Sequence, residues 1–296
     1  MKSSASLNDS PLSAVIASRL VRHSSRASKA RPVLSSRCVD SFLLENTMNQ
    51  SASDKNEVVA KAAYLHFIDG EDSSPSSGQM LQVENPSTGE IISSCARGNA
   101  ADIDRAVVSA EKGFRVWSAM QPVERARALH AIAMAVRENA SRLIGLEILD
   151  TGKPEWLAAS EVETCARYFE YFSGVADKLL GEVVPATNSH LMYSVREPFG
   201  VTGHVIPWNA PLSQAGRGSA PALCAGNSVV LKPAEETPMT TIEFARICCE
   251  AGLPPGVLNV VTGTGEEAGA ALVRHPGVRK LSFTGSVETG RIVLQA

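Results

Sequence analysis

The chain has 296 residues, 44% of them hydrophobic and 20% charged, with a formal net charge of −3. That length supports a sizeable core, and so small a net charge excludes a broad positive field for nucleic acid or anionic lipid. No stretch reaches the roughly 18 uninterrupted apolar residues of a spanning helix, so neither nucleic acid nor a membrane is an expected partner.

Up to Cys38 the chain is Ser-rich and carries Lys2, Arg19, Arg22, Arg26, Lys29, Arg31 and Arg37 against Asp9 alone. Such a bias cannot build a core, and residues 1–57 are expected to be a disordered leader. Its composition is that of a mitochondrial transit peptide, yet Arg19, Arg22 and Arg26 fall beside Leu12 and Val15 on a helical wheel instead of opposite them. Met48 opens the polar stretch MNQSASDKNEVV and is a rival start. The expected location is cytoplasmic, with mitochondrial import as the alternative if residues 1–47 are a genuine transit peptide.

Residues 65–94 read as short strands joined by Gly, Pro and Asn turns. Helical periodicity follows, with Ile103, Val107, Ala110, Phe114 and Trp117 on one face and Asn99 with Asp102 as a capping pair. Pro122 suits the first position of the next helix, whose stripe is Leu129, Ile132, Ala133 and Val136. A short helix ends at Gly152 and Pro154. A long one, with Val162, Cys165, Phe169, Phe172 and Val175 or Ala176 inward, is expected to reach Gly181.

From Ser189 the period changes. Residues 191–196 and 201–208 read as strands, followed by helix 212–224, strand 228–232, helix 238–251, strand 257–261, helix 266–274 and strand 280–283. Short apolar strands with helical crossovers imply a parallel sheet covered on both faces. Thr237 as cap, Pro238 at the first position and Gly252 after the end punctuate one of these helices. The fold expected is α/β, an incomplete Rossmann-like parallel sheet with flanking helices, preceded by a helical region and the leader. Three segments follow: the leader 1–57, a strand-rich entry with helices and an oligomerisation-type strand over 58–200, and a partial dinucleotide-binding sheet over 201–296.

Ligands of such sheets sit past the carboxyl ends of the strands. At the first end stand Ile206, Pro207, Trp208 and Asn209; Asn209 either caps the following helix or donates its amide to an oxyanion. At the second, Lys232 is a solvated cation and Glu235 complements a helix dipole, unless both hold a ligand. At the third, GTGEEAG has one residue more than the glycine fingerprint of dinucleotide folds. At the fourth, Gly285 and Ser286 open a helix whose positive terminus suits a pyrophosphate. The six cysteines, Cys38, Cys95, Cys165, Cys224, Cys248 and Cys249, show no CxxC pair and no zinc-type spacing. They read as structural thiols of a reducing compartment, and no metal site is expected.

REPFGVTGHVIPWNAPL, GNSVVLKPAEETP and KLSFTGS, in this order and at successive strand ends, resemble the nucleotide-binding half of the NAD(P)-dependent aldehyde dehydrogenases over residues 65–296. The resemblance implies oxidation of an aldehyde to a carboxylic acid, with Asn209 as oxyanion stabiliser and Ile206, Pro207, Trp208, Lys232, Glu235, Gly263, Gly285 and Ser286 along the cofactor. A carboxylate at Glu235 accepts from a ribose 2′-hydroxyl and repels a 2′-phosphate, so NAD is expected over NADP. Ala210 stands where many relatives have Phe, which enlarges or reshapes that neighbourhood. The family's attacking Cys and base Glu lie further along the chain than Ala296. The sequence is therefore read as a fragment, inactive by itself; the alternative is a non-catalytic NAD-binding fragment or an interaction partner of a full-length paralogue. The complete enzyme is expected to be a homo-oligomer joined through the strand around Leu191, and the isolated fragment to be poorly soluble.

Overall fold

Apolar residues at alternate positions of short strands and at three- and four-residue spacing in helices set the architecture. The computed structural model describes residues 58–187 and 189–296, so the leader, Cys38 and Met48 lie outside the described residues. Strands β1 (His66–Ile68), β2 (Glu71–Ser73), β3 (Met80–Asn85) and β4 (Glu90–Ala96) come first. Helices α1 (Ala100–Ala119), α2 (Pro122–Glu138), α3 (Ala140–Thr151) and α4 (Glu155–Ser173) follow. A small hairpin, β5 (Val183–Val184) with β6 (Met192–Tyr193), precedes the alternating part. That part is β7 (Val201–Val205), α5 (Pro211–Cys224), β8 (Ser228–Lys232), α6 (Met239–Glu250), β9 (Leu258–Val260), α7 (Ala270–Arg274), β10 (Val278–Phe283) and α8 (Val287–Gln295).

Among the described residues the main sheet has six strands in the order β10-β7-β8-β9-β1-β2. β10, β7, β8 and β9 run parallel, whereas β1 lies antiparallel to both β9 and β2. The parallel sheet expected over residues 201–296 is present as β7–β10, and the entry strands β1 and β2 extend it into a mixed sheet. An antiparallel edge hairpin needs no helical crossover, so the strand-rich entry completes the edge beside β9. Within β8, Val230 faces a cluster with Ile103, Val107 and Leu272, while Val229 and Leu231 face a larger one with Phe169, Leu212 and Phe244. Helices therefore cover both faces, as the continuous apolar run of this strand requires.

Local signals account for most boundaries. Asn99 accepts from Ala101 N at 2.8 Å and Asp102 returns a bond to Asn99 N at 3.1 Å, the reciprocal cap expected for α1. Pro122 opens α2, and left-handed Gly152 closes α3 at φ 70°. Helix α4, however, stops at Ser173, well short of Gly181. Ser173 Oγ bonds the Glu170 carbonyl at 2.7 Å, a side-chain bond that competes with the helical ladder. The strand over 191–196 shrinks to Met192–Tyr193, which among the described residues pairs only with Val183–Val184 and is exposed. The extra residue of GTGEEAG is absorbed by a wide turn over Gly265–Gly269, in which Gly269 N reaches Thr264 O at 3.1 Å.

Candidate functional site at the carboxyl ends of the parallel strands

The chain steps outward from β7 through β8 to β9, then returns to place β10 on the other side of β7. This reversal opens a crevice at the carboxyl ends of β7 and β10, where Val205 and Phe283 stand in register. Ile206 extends β7, its amide bonding Lys232 O at 2.9 Å, and is buried. Pro207 is half-buried, and Trp208 projects with 61% of its surface exposed. Asn209 is exposed, and its side chain makes no hydrogen bond within the described residues. It does not cap α5, whose N-cap is Ala210 with no side-chain bond.

The amide that such a cap would serve is served from a distance. Glu147 of α3 accepts from Leu212 N at 3.0 Å. One turn on, Asp150 accepts from Met239 N at 2.9 Å and Thr240 N at 3.4 Å at the start of α6. Thr237, expected as that cap, is buried with its hydroxyl unpartnered among the described residues, and Pro238 stands as N-cap. One helix thus ties down the starts of two crossover helices through carboxylates aimed at their positive ends. Burial pushes the Glu147 carboxyl upward against the opposing pull of Lys153, whose Nζ lies 2.5 Å from Glu147 Oε2. Burial and the charge of Glu147 raise Asp150 as well. Neither residue stood out in the sequence, although charged side chains on the stripe of Leu143 and Leu146 were a usable signal.

Lys232 ends β8 and is 2% exposed, so the solvated-cation reading fails. Its Nζ meets Glu235 Oε2 at 2.9 Å, and Gly265 N approaches Glu235 Oε1 at 3.3 Å. Burial opposes ionisation of Glu235, but the Lys232 charge and these bonds hold its carboxyl below the usual range. Glu235, Trp208 and Thr264, with Gln82, Asp150 and Thr237, line a cleft of about 560 Å³.

The third strand end divides its glycines. Gly263, at φ 141°, is buried, and a Cβ there would lie 2.8 Å from Gly98 O, so it seats the turn on the backbone of the entry segment. Gly265 is exposed, with open space where a side chain would project. Arg97 clamps the same loop through two bonds to Glu267, both 2.9 Å. At the fourth end Thr284 N reaches Val205 O at 3.3 Å, and Ser286 Oγ caps α8 by accepting from Thr289 N at 3.1 Å. Gly285 is exposed, and a Cβ on it would meet the Phe283 ring at 2.6 Å. The structure therefore gathers Trp208 and Glu235 in one cleft, with Lys232 bonded to Glu235 at its wall. Ile206 lines a smaller cavity of about 230 Å³ with Phe283 and Thr284, and Gly263 lies beneath the third loop.

The described cysteines are poor nucleophiles where they stand. Burial pushes Cys95 up to about 12 and raises Cys165, Cys224, Cys248 and Cys249. A thiol so placed stays protonated at neutral pH.

The profile of the aldehyde dehydrogenase family matches residues 73–296. Benzaldehyde dehydrogenase, mitochondrial, of Antirrhinum majus is 44% identical over 232 residues, 77% of this chain and 43% of that protein. Aldehyde dehydrogenase family 2 member B4, mitochondrial, of Arabidopsis thaliana is 40% identical over 263 residues, 87% of this chain and 49% of that protein. The NAD+ complex of aldehyde dehydrogenase from Bacillus cereus superposes with a TM-score of 0.77 at 36% identity, covering 79% of this chain and 48% of that one. The chain spans about half the length of the relatives it matches. With the strand-end motifs in family order on a matching fold, this chain belongs to the aldehyde dehydrogenase family.

Proposed function

We propose that the chain binds NAD across the carboxyl ends of its parallel strands and supplies the nucleotide-binding half of an aldehyde oxidation. The observation that carries the reading is the Glu235 carboxylate, held between Lys232 and Gly265 at the wall of the 560 Å³ cleft that Trp208 also lines. The bare Cα of Gly265 leaves room for a ligand to approach these groups. Lys232 and Glu235 would take the hydroxyls of a ribose. The amides around Gly285 and Ser286 would face the phosphates, and Pro207 and Trp208 would flank the cofactor. When bound, NAD accepts hydride.

Asn209 acts differently. Its free amide donates to an oxygen on which negative charge develops, a contribution of about 3–4 kcal/mol in comparable sites. Relief of the capping duty by Glu147 leaves that donor available. We further propose that these residues alone do not turn over aldehyde, because each described thiol is held protonated by burial.

Preference for NAD follows from charge. A carboxylate at Glu235 bonds a 2′-hydroxyl and repels a 2′-phosphate. Titration calorimetry of the 296-residue chain tests the reading. Saturable binding of NAD, near micromolar, with NADP at least about tenfold weaker is the expected result. No heat with either nucleotide would remove it. Assembly through the exposed β5–β6 hairpin and a cytoplasmic location stand as proposals of the same kind. The names of both plant relatives carry the word mitochondrial, which supports import as the rival reading. Mass spectrometry of the mature N-terminus decides between them.

A further inference from the structure

A second cavity, of about 380 Å³, lies at the opposite end of the sheet, where Pro198, Ala225 and Gly226 lead into β7 and β8. Arg125, in the first turns of α2, lines it and is 8% exposed. Its Nη1 donates to the Met120 carbonyl at 2.6 Å, and its Nε has no partner among the described residues. Among the described residues the guanidinium is in no salt bridge, and Glu124 of the same turn accepts from Gln121 N at 3.0 Å. A second guanidinium, that of exposed Arg196, lines the same space. Asp177 also lines it, but that carboxylate is exposed and already paired with Lys178. Gly226, at φ 89°, leaves the face of Arg125 uncovered, since a Cβ there would sit 3.6 Å from its Cζ.

A buried cation without a counter-charge is strongly unfavourable, and arginine does not escape the cost by losing its proton at physiological pH. With Nη1 committed to a carbonyl, Nε and Nη2 form the one edge of the fork left for a planar pair of acceptor oxygens. The start of α2 beside it adds a positive helix end. We propose that Arg125 and Arg196 form a binding site for a small oxyanion, a carboxylate or a phosphate, remote from the dinucleotide cleft.

The test labels the arginines of the full chain with ¹⁵N and follows the Nε–H resonance of Arg125, assigned by its loss in Arg125→Lys. Sodium phosphate and sodium acetate are titrated against sodium chloride at matched ionic strength. The expected result is a saturable shift with phosphate or acetate and none with chloride; the better of the two identifies the ligand class. Arg196→Ala, at an exposed position, is expected to weaken that binding about tenfold or more while leaving the fold intact. A resonance unmoved by both oxyanions, one moved equally by chloride, or a titration unchanged in Arg196→Ala overturns the proposal.

Discussion

Glu147 on α3 accepts the amide of Leu212 at 3.0 Å, so a side chain 65 residues earlier does the work that a local cap at Asn209 would otherwise do. The consequence is a division of labour. Glu147 is expected to be structural and Asn209 functional, and the two roles separate by measurement.

Glu147→Ala removes a buried helix cap and leaves Lys153 buried with half its counter-charge. Breaking a buried pair from one side costs about 3–5 kcal/mol. A urea titration is expected to show a loss of that order, and a midpoint within error of the parent would show that the Glu147 contact carries no stability.

For Asn209→Ala the structure predicts the reverse. The side chain is exposed and without partners among the described residues, so stability should stay within about 0.5 kcal/mol of the parent. Nucleotide affinity should also hold, since Asn209 is assigned to the substrate oxygen. A melt several degrees lower would return Asn209 to a capping role.

Glu235→Gln tests the cofactor reading. Loss of a charge-assisted bond should weaken NAD by about 1.5–3 kcal/mol and narrow the gap to NADP. The pH dependence follows from the Lys232 contact, which with the backbone bonds outweighs burial and holds the carboxyl low. A depressed carboxylate keeps its charge as pH falls through the ordinary glutamate range, so NAD affinity should persist there and fail only at more acid pH. Affinity that declines from pH 6 downward would contradict the assignment.

Two buried histidines predict the acid limit of the fold. Burial lowers His66 to about 4, against the opposing pull of Asp102, and lowers His204 to about 3, with Lys280 adding to the effect. Unfolded imidazoles protonate near pH 6.5. Between these values the unfolded chain binds more protons, so stability is complete above about pH 6.5 and lost as pH falls. Unfolding free energies from urea titrations at pH 7 and pH 5 should differ by on the order of 2 kcal/mol per histidine. His204→Gln should reduce that difference, and an unchanged pH slope in this variant would exclude it as a contributor.

Gly113→Ala probes the seat of α1 on the sheet. A Cβ there would lie 2.4 Å from the Gly256 carbonyl carbon, a backbone atom that cannot swing away. The expected cost is about 1–3 kcal/mol by denaturant titration. A neutral result would mean that α1 is free to slide along the turn before β9.

Sequence alone determined the elements whose cause is local. The Asn99–Asp102 cap, the stripe from Leu129 to Val136, and the strand from Ser228 to Lys232 needed no distant partner, because period and capping act within one or two turns. The same is true of the strand ends bearing Trp208, Lys232, Glu235 and Ser286. Tertiary structure decided what depends on neighbours remote in the chain. Residues 66–73 close the sheet edge antiparallel, since pairing depends on which edge is free, and the strand expected over 191–196 is reduced to Met192–Tyr193 paired with Val183–Val184. Asp150 took the capping role expected of Thr237, and Gly265 instead of Gly263 faces Glu235, because a backbone amide accepts whichever oxygen packing brings within reach. Charge balance around Arg125 belongs to the same class: a sequence shows the guanidinium, and only the packed chain shows that it is buried and, among the described residues, in no salt bridge.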